Sequence, residues 1–172
     1  AVAKRYLGIE DKRMRVGFGY DIHQLKAGRP CILGGVHIES DLGPDGHSDA
    51  DVLIHALMDA MLGAAGLRDI GYYFPPEDDQ YKGISSMLLL EKVNFLLKER
   101  GLQAYNIDIM VISETPKLKP HIDMMKVNLQ SILEIPLDRI SIKATTNEML
   151  GAIGRREGIA AQAVVSVYEG EI

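Results

Sequence analysis

Hydrophobic and polar positions along this chain follow two periods, one typical of strands and one typical of helices. Gly17 and Gly19 lie inside the first apolar run, where glycine often marks the close approach of another group to the backbone. The turn-forming residues 28–30 separate the first two runs, so we expect these to form a hairpin-like unit. In all, short β-prone runs predict strands at Met14–Tyr20, Cys31–Ile38, Ile107–Ser113, Arg139–Thr145 and Ile159–Tyr168.

Apolar residues at helical spacing predict three helices. Ser48 followed by Asp51 resembles a capping box, and the apolar positions after it continue to a natural stop at Gly66. Two further helices are predicted at residues 85–100 and 121–133, the first of them ended by a glycine.

The remaining segments are predicted loops, including residues 39–46 and the longer stretch 67–83. A loop as long as the second is uncommon in a compact domain unless it is functional or mobile. The order β-β-α-α-β-α-β-β predicts an α+β fold with helices on one face of a sheet. We expect residues 14–172 to form a single domain, with residues 1–13 an N-terminal extension or remnant outside it.

Composition narrows the possible partners of the chain. Its 172 residues include 19 Lys and Arg against 24 Asp and Glu, a net charge of −5, which argues against nucleic acid as a partner. The single cysteine, Cys31, excludes a disulfide framework and a zinc site with two thiolates from one chain. The sequence has no run of about 18 apolar residues, so we expect no membrane partner.

Three residues are candidate metal ligands. Asp21 and His23 lie two residues apart at the end of the first predicted strand, where both side chains point to one face. His55 lies on the first predicted helix, one turn from both Asp51 and Asp59. A carboxylate and two imidazoles suit a zinc site with an open fourth position, in which Asp51 or Asp59 accepts the second imidazole N–H. The alternative is that each histidine is an ordinary surface or core residue, and spacing alone leaves both open.

Three further segments carry candidate phosphate-binding groups. Residues 46–48 (Gly-His-Ser) precede a helix, where free N–H groups bind anions; the alternative is that Ser48 is only an N-cap. Residues 143–148 place hydroxyls beside a carboxylate, and residues 151–158 form a glycine loop with two cations. Each of these patterns is weak by itself.

Taken together and in order, the motifs resemble those of the 2-C-methyl-D-erythritol 2,4-cyclodiphosphate synthases, an enzyme family of non-mevalonate isoprenoid synthesis. The resemblance covers nearly everything from Met14 to Tyr168 and favours the functional interpretation of each motif. The matching segments are residues 15–23, 33–36, 46–55, 59–65, 69–71, 74–75, 116–117, 120–121, 143–148, 154–155 and 157–159.

The resemblance implies a homotrimer of ferredoxin-like subunits, each a two-layer sandwich with a mainly four-stranded sheet, and active sites between subunits. It implies that Asp21, His23 and His55 hold zinc and that Glu148 helps to hold Mg²⁺ or Mn²⁺ between the substrate phosphates. The implied reaction converts 4-diphosphocytidyl-2-C-methyl-D-erythritol 2-phosphate to the cyclic diphosphate and CMP. The implied compartment is the cytoplasm, or the plastid stroma if the source has plastids.

The resemblance also assigns individual roles. His47 and Thr146 match positions that stabilise the transition state, and Ser48 matches one that holds the methylerythritol phosphate. The remaining substrate contacts fall into a ribose group, a mobile loop, a cytosine and phosphate group and a trimer-axis group: Asp69, Ile70 and Gly71; Phe74, Pro75, Pro76, Glu77 and Asp78; Ser113, Pro116, Lys117, Leu118, Lys119 and Thr145; and Ala152 and Arg155.

Two positions depart from the family pattern. Pro76 replaces a common acidic residue, and Ala152 replaces a common aromatic one.

Two other functions compete with the synthase. A zinc hydrolase of a small phosphoester would form product without cyclisation, and a non-catalytic trimer would bind CDP-like molecules without turnover.

Overall fold

The computed structural model describes residues 13–170. The predicted extension thus lies outside the described residues, apart from Arg13. The strands are β1 (Met14–Ala27), β2 (Cys31–Leu33), β3 (Val36–Ile38), β4 (Leu42–Asp45), β5 (Leu102–Ile112), β6 (Ile140–Thr145) and β7 (Gly158–Glu169). The α-helices are α1 (Val52–Ala64), α2 (Ile70–Tyr73), α3 (Ser86–Lys98), α4 (Ile122–Leu133) and α5 (Gly151–Gly154).

The main sheet has five strands in the order β4-β1-β7-β5-β6. Only β5 and β6 run parallel, and the other pairs in this sheet are antiparallel. The predicted α+β class is confirmed. The observed sheet has five strands, one more than the mainly four strands that were expected. The additional strand is β4, at the edge beside β1.

β4 falls within residues 39–46, which were expected to be a loop. Gly43 and Pro44 made this segment look like a loop. Proline lacks a backbone N–H and is tolerated mainly at a sheet edge, which is where β4 lies. The expected hairpin of the first two runs is also wrong. Residues 31–38 instead fold on themselves as β2 and β3, a separate two-stranded sheet with Gly34 and Gly35 at its turn.

Strand β1 is longer than its apolar pattern predicts, because pairing with β7 and then β4 extends it through polar residues. Asp21 and His23 therefore lie within the strand and not at its end. Their side chains share the face of Gly17 and Gly19, which is the face towards the helices. The opposite face of β1 is apolar and exposed: Val16, Phe18, Tyr20 and Ile22.

Helix α1 lies directly on β1, and the two strand glycines allow this approach. A Cβ atom added to Gly17 would lie 1.9 Å from the carbonyl oxygen of Ala60, and one added to Gly19 would lie 2.0 Å from that of Ala56. The close approach inferred from these glycines is thus confirmed. Eleven of the thirteen residues of α1 are buried, which makes it the central helix of the core.

The N-terminus of α1 is capped by Asp51 and not by Ser48. The Asp51 carboxylate accepts hydrogen bonds from the N–H groups of Ile54 (3.1 Å) and Gly35 (2.8 Å), so it also joins the helix to the turn between β2 and β3. The Ser48 hydroxyl accepts one from the N–H of Ala50 (3.2 Å), before the helix begins. The predicted capping box is therefore wrong in its first residue.

The long segment 67–83 contains helix α2 and a 3₁₀ turn at Asp79–Tyr81. The predicted helices near residues 85–100 and 121–133 are observed as α3 and α4. Among residues 13–170, no helix combines the length and the apolar character that crossing a bilayer requires.

Candidate metal centre

Asp21, His23 and His55 meet at one point between β1 and α1. The carboxylate oxygen Oδ2 of Asp21 lies 3.0 Å from His23 Nε2 and 3.0 Å from His55 Nδ1, and the two nitrogens are 3.1 Å apart. Tetrahedral zinc with bonds of about 2.0–2.1 Å holds neighbouring ligand atoms about 3.3 Å apart, so this donor set fits one such ion. The predicted convergence of the three side chains is confirmed.

His23 is held by the backbone on its far side. Its Nδ1 donates to the carbonyl oxygen of Asp45 at 2.8 Å, which leaves Nε2 as the nitrogen that faces the other two ligands. Its ring also lies against Gly46, where an added Cβ would be 2.8 Å from the ring carbon Cε1. The backbone of residues 45–46 therefore determines both the orientation and the tautomer of this imidazole.

The three ligands also alter one another's protonation. Burial of Asp21 disfavours its charged form, but its contacts with the His23 and His55 rings outweigh this and hold its pKa well below the usual value. Burial by itself lowers the pKa of His23, yet the hydrogen bond to Asp21 and the Asp21 charge raise it above its ordinary value. The centre thus keeps a carboxylate ionised at neutral pH, as a metal site requires.

The expected orienting role of Asp51 or Asp59 is wrong. Asp51 is fully buried and bonded to backbone N–H groups, as described above, and Asp59 accepts a hydrogen bond from the N–H of Ile70 at 2.8 Å. The second nitrogen of His55, Nε2, instead faces the hydroxyls of Ser86 (3.0 Å) and Ser48 (3.2 Å). Helical spacing places Asp51 and Asp59 near His55 in sequence, but tertiary contacts take up their carboxylates.

The metal centre opens into a cleft of about 270 Å³. The sequence did not indicate two residues of its wall, Tyr81 and Leu89. Nearby, His47 Nε2 lies 3.4 Å from the carbonyl oxygen of Asp78, which connects the cleft to the expected mobile loop. The predicted site residues that line the cleft beside the three ligands are His47, Ser48, Ile70, Gly71, Phe74 and Pro76.

Other predicted substrate contacts adjoin this cleft without lining it. Asp69 precedes α2, and Pro75, Glu77 and Asp78 continue the chain beyond Phe74. They belong to the same region of the molecule as the cleft.

A second group of predicted residues lies elsewhere on the sheet, at the ends of β5 and β6. Thr145 pairs with Ile112, and Ile112 pairs in turn with Ala160 of β7. Ala160 pairs with Ile22, which lies between the two ligands on β1. Three steps between strands of about 4.8 Å place the two groups about 14 Å apart within one chain.

This second group forms a compact polar cluster. The hydroxyl of Thr146 donates to Glu148 at 3.2 Å, and Glu114, which the sequence did not indicate, accepts from the N–H groups of Asn147 and Met149. None of these residues lines the metal cleft. Pro116, Lys117, Leu118 and Lys119 follow β5 in the chain, and the Leu118 side chain is buried.

The two residues predicted for a trimer axis lie at α5. Ala152 is exposed on this short helix, and Arg155 follows it. The Arg155 guanidinium donates to Glu157 in two hydrogen bonds of 2.8 and 3.1 Å. The structure therefore leaves one face of Ala152 open and gives Arg155 an ionic partner.

The sequence of the chain matches one family model. The model for the YgbB family matches residues 14–168, which is most of the chain. The chain belongs to the YgbB family.

This member of the YgbB family is similar to named proteins and to solved structures. It is 59% identical over 152 residues to 2-C-methyl-D-erythritol 2,4-cyclodiphosphate synthase of Synechococcus elongatus, covering 88% of this chain and 95% of the relative. It also resembles the CDP complex of IspF from Plasmodium falciparum (TM-score 0.81, 32% identity), covering 92% of this chain and 97% of that one. The bifunctional IspDF of Campylobacter jejuni aligns with TM-score 0.89 and 40% identity, over 98% of this chain but only 47% of that protein.

Proposed function

We propose that this chain converts 4-diphosphocytidyl-2-C-methyl-D-erythritol 2-phosphate to 2-C-methyl-D-erythritol 2,4-cyclodiphosphate and CMP. The observation that carries the proposal is the convergence of Asp21, His23 and His55 in the wall of a cleft. His47 and Ser48 line the same cleft, so polar donors face the place where a phosphate would meet the ligands. Membership of a family with synthases of this name supports the same reaction.

Asp21, His23 and His55 would hold a zinc ion, because one carboxylate and two imidazoles leave the open position of a catalytic site. When bound, zinc supplies charge stabilisation and a template for phosphate oxygens. In the second polar cluster, Glu148 would hold Mg²⁺ or Mn²⁺, for which carboxylate oxygens are suitable ligands.

The reaction needs no nucleophile from the protein. An oxygen of the substrate's 2-phosphate attacks the β-phosphorus, the bond from this phosphorus to the bridging oxygen breaks, and CMP leaves with that oxygen. Catalysis then consists of positioning and charge stabilisation at the phosphorus. We assign hydrogen bonds to the phosphate oxygens to His47 and Thr146, and binding of the methylerythritol phosphate to Ser48.

The nucleoside half of the substrate would use both groups of residues, the ribose at the cleft and the cytosine at the second group. We assign the ribose to Asp69, Ile70 and Gly71, and the cytosine to the segment after β5, whose backbone groups can hydrogen bond to the base edge. The loop that follows α2 would cover the methylerythritol unit, and Thr145 would bind phosphate. The other residues of these groups keep the substrate contacts that the family resemblance implies. Ala152 and Arg155 are assigned to the trimer axis.

We also propose a homotrimer of ferredoxin-like subunits with active sites between them, and two features support this assembly. The two groups of site residues are about 14 Å apart in one chain, too far for one compact site, so a neighbouring copy would supply the second group. The exposed face of β1 is a continuous apolar stripe, with Val16 68% and Phe18 61% exposed, and such stripes are typical of interfaces. We propose the cytoplasm, or a plastid stroma, as the compartment.

The proposal is tested by incubating the purified chain with the diphosphocytidyl substrate, Zn²⁺ and Mg²⁺ and following the products by phosphorus NMR. We expect signals of CMP and of a cyclic diphosphate in equal amounts, and their loss in the His55→Ala variant. Linear products would favour the phosphoester hydrolase. Binding of CDP without turnover would favour the non-catalytic trimer, and either result would refute the synthase.

A further inference from the structure

The two ring nitrogens of His55 face different surroundings. Nδ1 is the nitrogen that meets Asp21 and His23, so it must be free of a proton to bind a metal. The proton of a neutral ring then has to lie on Nε2. Whatever contacts Nε2 therefore influences whether Nδ1 is available.

Nε2 faces a serine whose own proton is already committed. The hydroxyl of Ser86 lies 3.0 Å from Nε2 and donates to Oδ1 of Asp49 at 2.5 Å. A hydroxyl has one proton, and an ionised carboxylate has none to give back. The Ser86 oxygen can therefore only accept from Nε2–H, and this contact favours the tautomer with a free Nδ1.

The Asp49 carboxylate is itself held in place by the backbone. Oδ2 accepts from the N–H of Ser86 at 2.9 Å, and Oδ1 also accepts from the N–H of Asp51 at 3.2 Å. These donors orient both oxygens, so the Asp49 carboxylate cannot turn away from the serine hydroxyl without losing hydrogen bonds. Ser86 is fully buried, which removes water as a competing partner.

The other hydroxyl near Nε2 has no such preference. The Ser48 hydroxyl oxygen lies 3.2 Å from Nε2 and accepts from the N–H of Ala50. Its own proton is therefore free to point towards Nε2 or away from it. The hydroxyl can donate to Nε2 or accept from it. The discrimination between the two tautomers therefore rests on Asp49 and Ser86.

We propose that Asp49 and Ser86 are positioning residues that hold His55 in the tautomer required for metal binding. The relay runs from the Asp49 carboxylate through the Ser86 hydroxyl to Nε2 of His55, and it joins the start of α3 to the ligand on α1. The inference rests on the proposed function, since it concerns the zinc site assigned there. Substitution of residues that hydrogen bond to a metal ligand typically lowers metal affinity by about 10–100-fold.

The test measures zinc affinity of the full-length purified chain by competition with a chromogenic chelator, together with Tm of the metal-free protein. We expect Ser86→Ala and Asp49→Asn to weaken zinc binding by about 10–100-fold. In Asp49→Asn the amide oxygen cannot accept from both Ser86 groups, so the serine hydroxyl is free to donate a hydrogen bond to Nε2, which places the ring proton on Nδ1, the nitrogen that faces the metal site. Ser86→Thr keeps the hydroxyl and should restore affinity to within about threefold of the parent.

Ser85→Ala is the matched control. Ser85 precedes α3 and its hydroxyl accepts from the N–H of Met87, so the variant loses a helix cap without touching His55. We expect a decrease in Tm of about 2–4 °C and zinc affinity within twofold of the parent.

Two results would overturn the inference: zinc affinity of Ser86→Ala within twofold of the parent, or an equal loss in Ser85→Ala. If Ser86→Ala does not fold, Asp49→Asn, which preserves side-chain size, decides by the same criterion. If the parent itself binds no zinc, the proposed function fails. If the parent binds zinc and both relay variants bind it equally well, the relay alone fails.

Discussion

Gly46 is the residue whose enlargement should disturb the metal centre most directly. An alanine Cβ at this position would lie 2.8 Å from Cε1 of His23, about 0.7 Å closer than the optimal separation of carbon atoms of about 3.5 Å. It would also lie 3.0 Å from the Cβ of Ala50, so the residue has little room to move the other way. The His23 ring must therefore shift by about half an ångström or more, which exceeds the tolerance of about 0.5 Å of a preorganised site.

The Gly46→Ala variant should fold but bind zinc more weakly. Overpacking of this kind costs about 1–3 kcal/mol, which for a domain of this size lowers Tm by about 2–12 °C. We expect zinc affinity to fall at least tenfold, measured by chelator competition. Gly63→Ala is the control, because its Cβ would meet only the carbonyl oxygen of Phe18 at 3.9 Å and it improves helix propensity in α1. Unchanged zinc affinity in Gly46→Ala would refute the reasoning.

Three further predictions concern the fold, its pH dependence and its assembly. Gly17→Ala drives a Cβ into the backbone of α1, so we expect a loss of more than about 4 kcal/mol, measured by urea unfolding; a loss below 1 kcal/mol would contradict the packing. Burial raises the pKa of Asp51 to about 6, so its charge destabilises the folded chain increasingly as pH rises from 4 to 7. The Asp51→Asn variant should therefore gain about 2–3 kcal/mol relative to the parent over this interval, and parallel pH profiles of unfolding free energy would be evidence against it. Phe18→Asp places a charge on the exposed stripe and should convert the proposed trimer to monomers in light scattering, with unchanged circular dichroism; a persistent trimer would show that the stripe is not the interface.

Local rules predicted only part of the candidate metal centre. Period-two alternation places Asp21 and His23 on one face of a strand, but spacing left open whether His55 on the central helix would join them, and the family resemblance favoured the metal site. The partners of Nε2 could not be predicted in this way. Ser86 lies 31 residues beyond His55, and only the packing of the start of α3 against α1 brings the two together.

The fold was predictable where apolar periodicity is strong and failed where geometry overrides composition. Helices α3 and α4 follow their patterns closely. Strand β4 contains Gly43 and Pro44, and its pairing depends on the length of β1, which is a property of the assembled sheet. Asp51 was a candidate partner of His55 because helical spacing places it one turn away, and the sequence does not show that Gly34 and Gly35 of a distant turn hydrogen bond to its carboxylate instead.

The contact of α1 with β1 through bare glycine has a consequence for how the site tolerates change. The strand that bears two ligands and the helix that bears the third touch main chain to main chain at Gly17 and Gly19, with no intervening side chain to repack. The distance between the His23 and His55 imidazoles is therefore set by this backbone contact and less by the choice of side-chain rotamers. Substitutions elsewhere in the hydrophobic interior can be absorbed by neighbouring side chains, while the register of strand on helix, and with it the mouth of the cleft, stays constant.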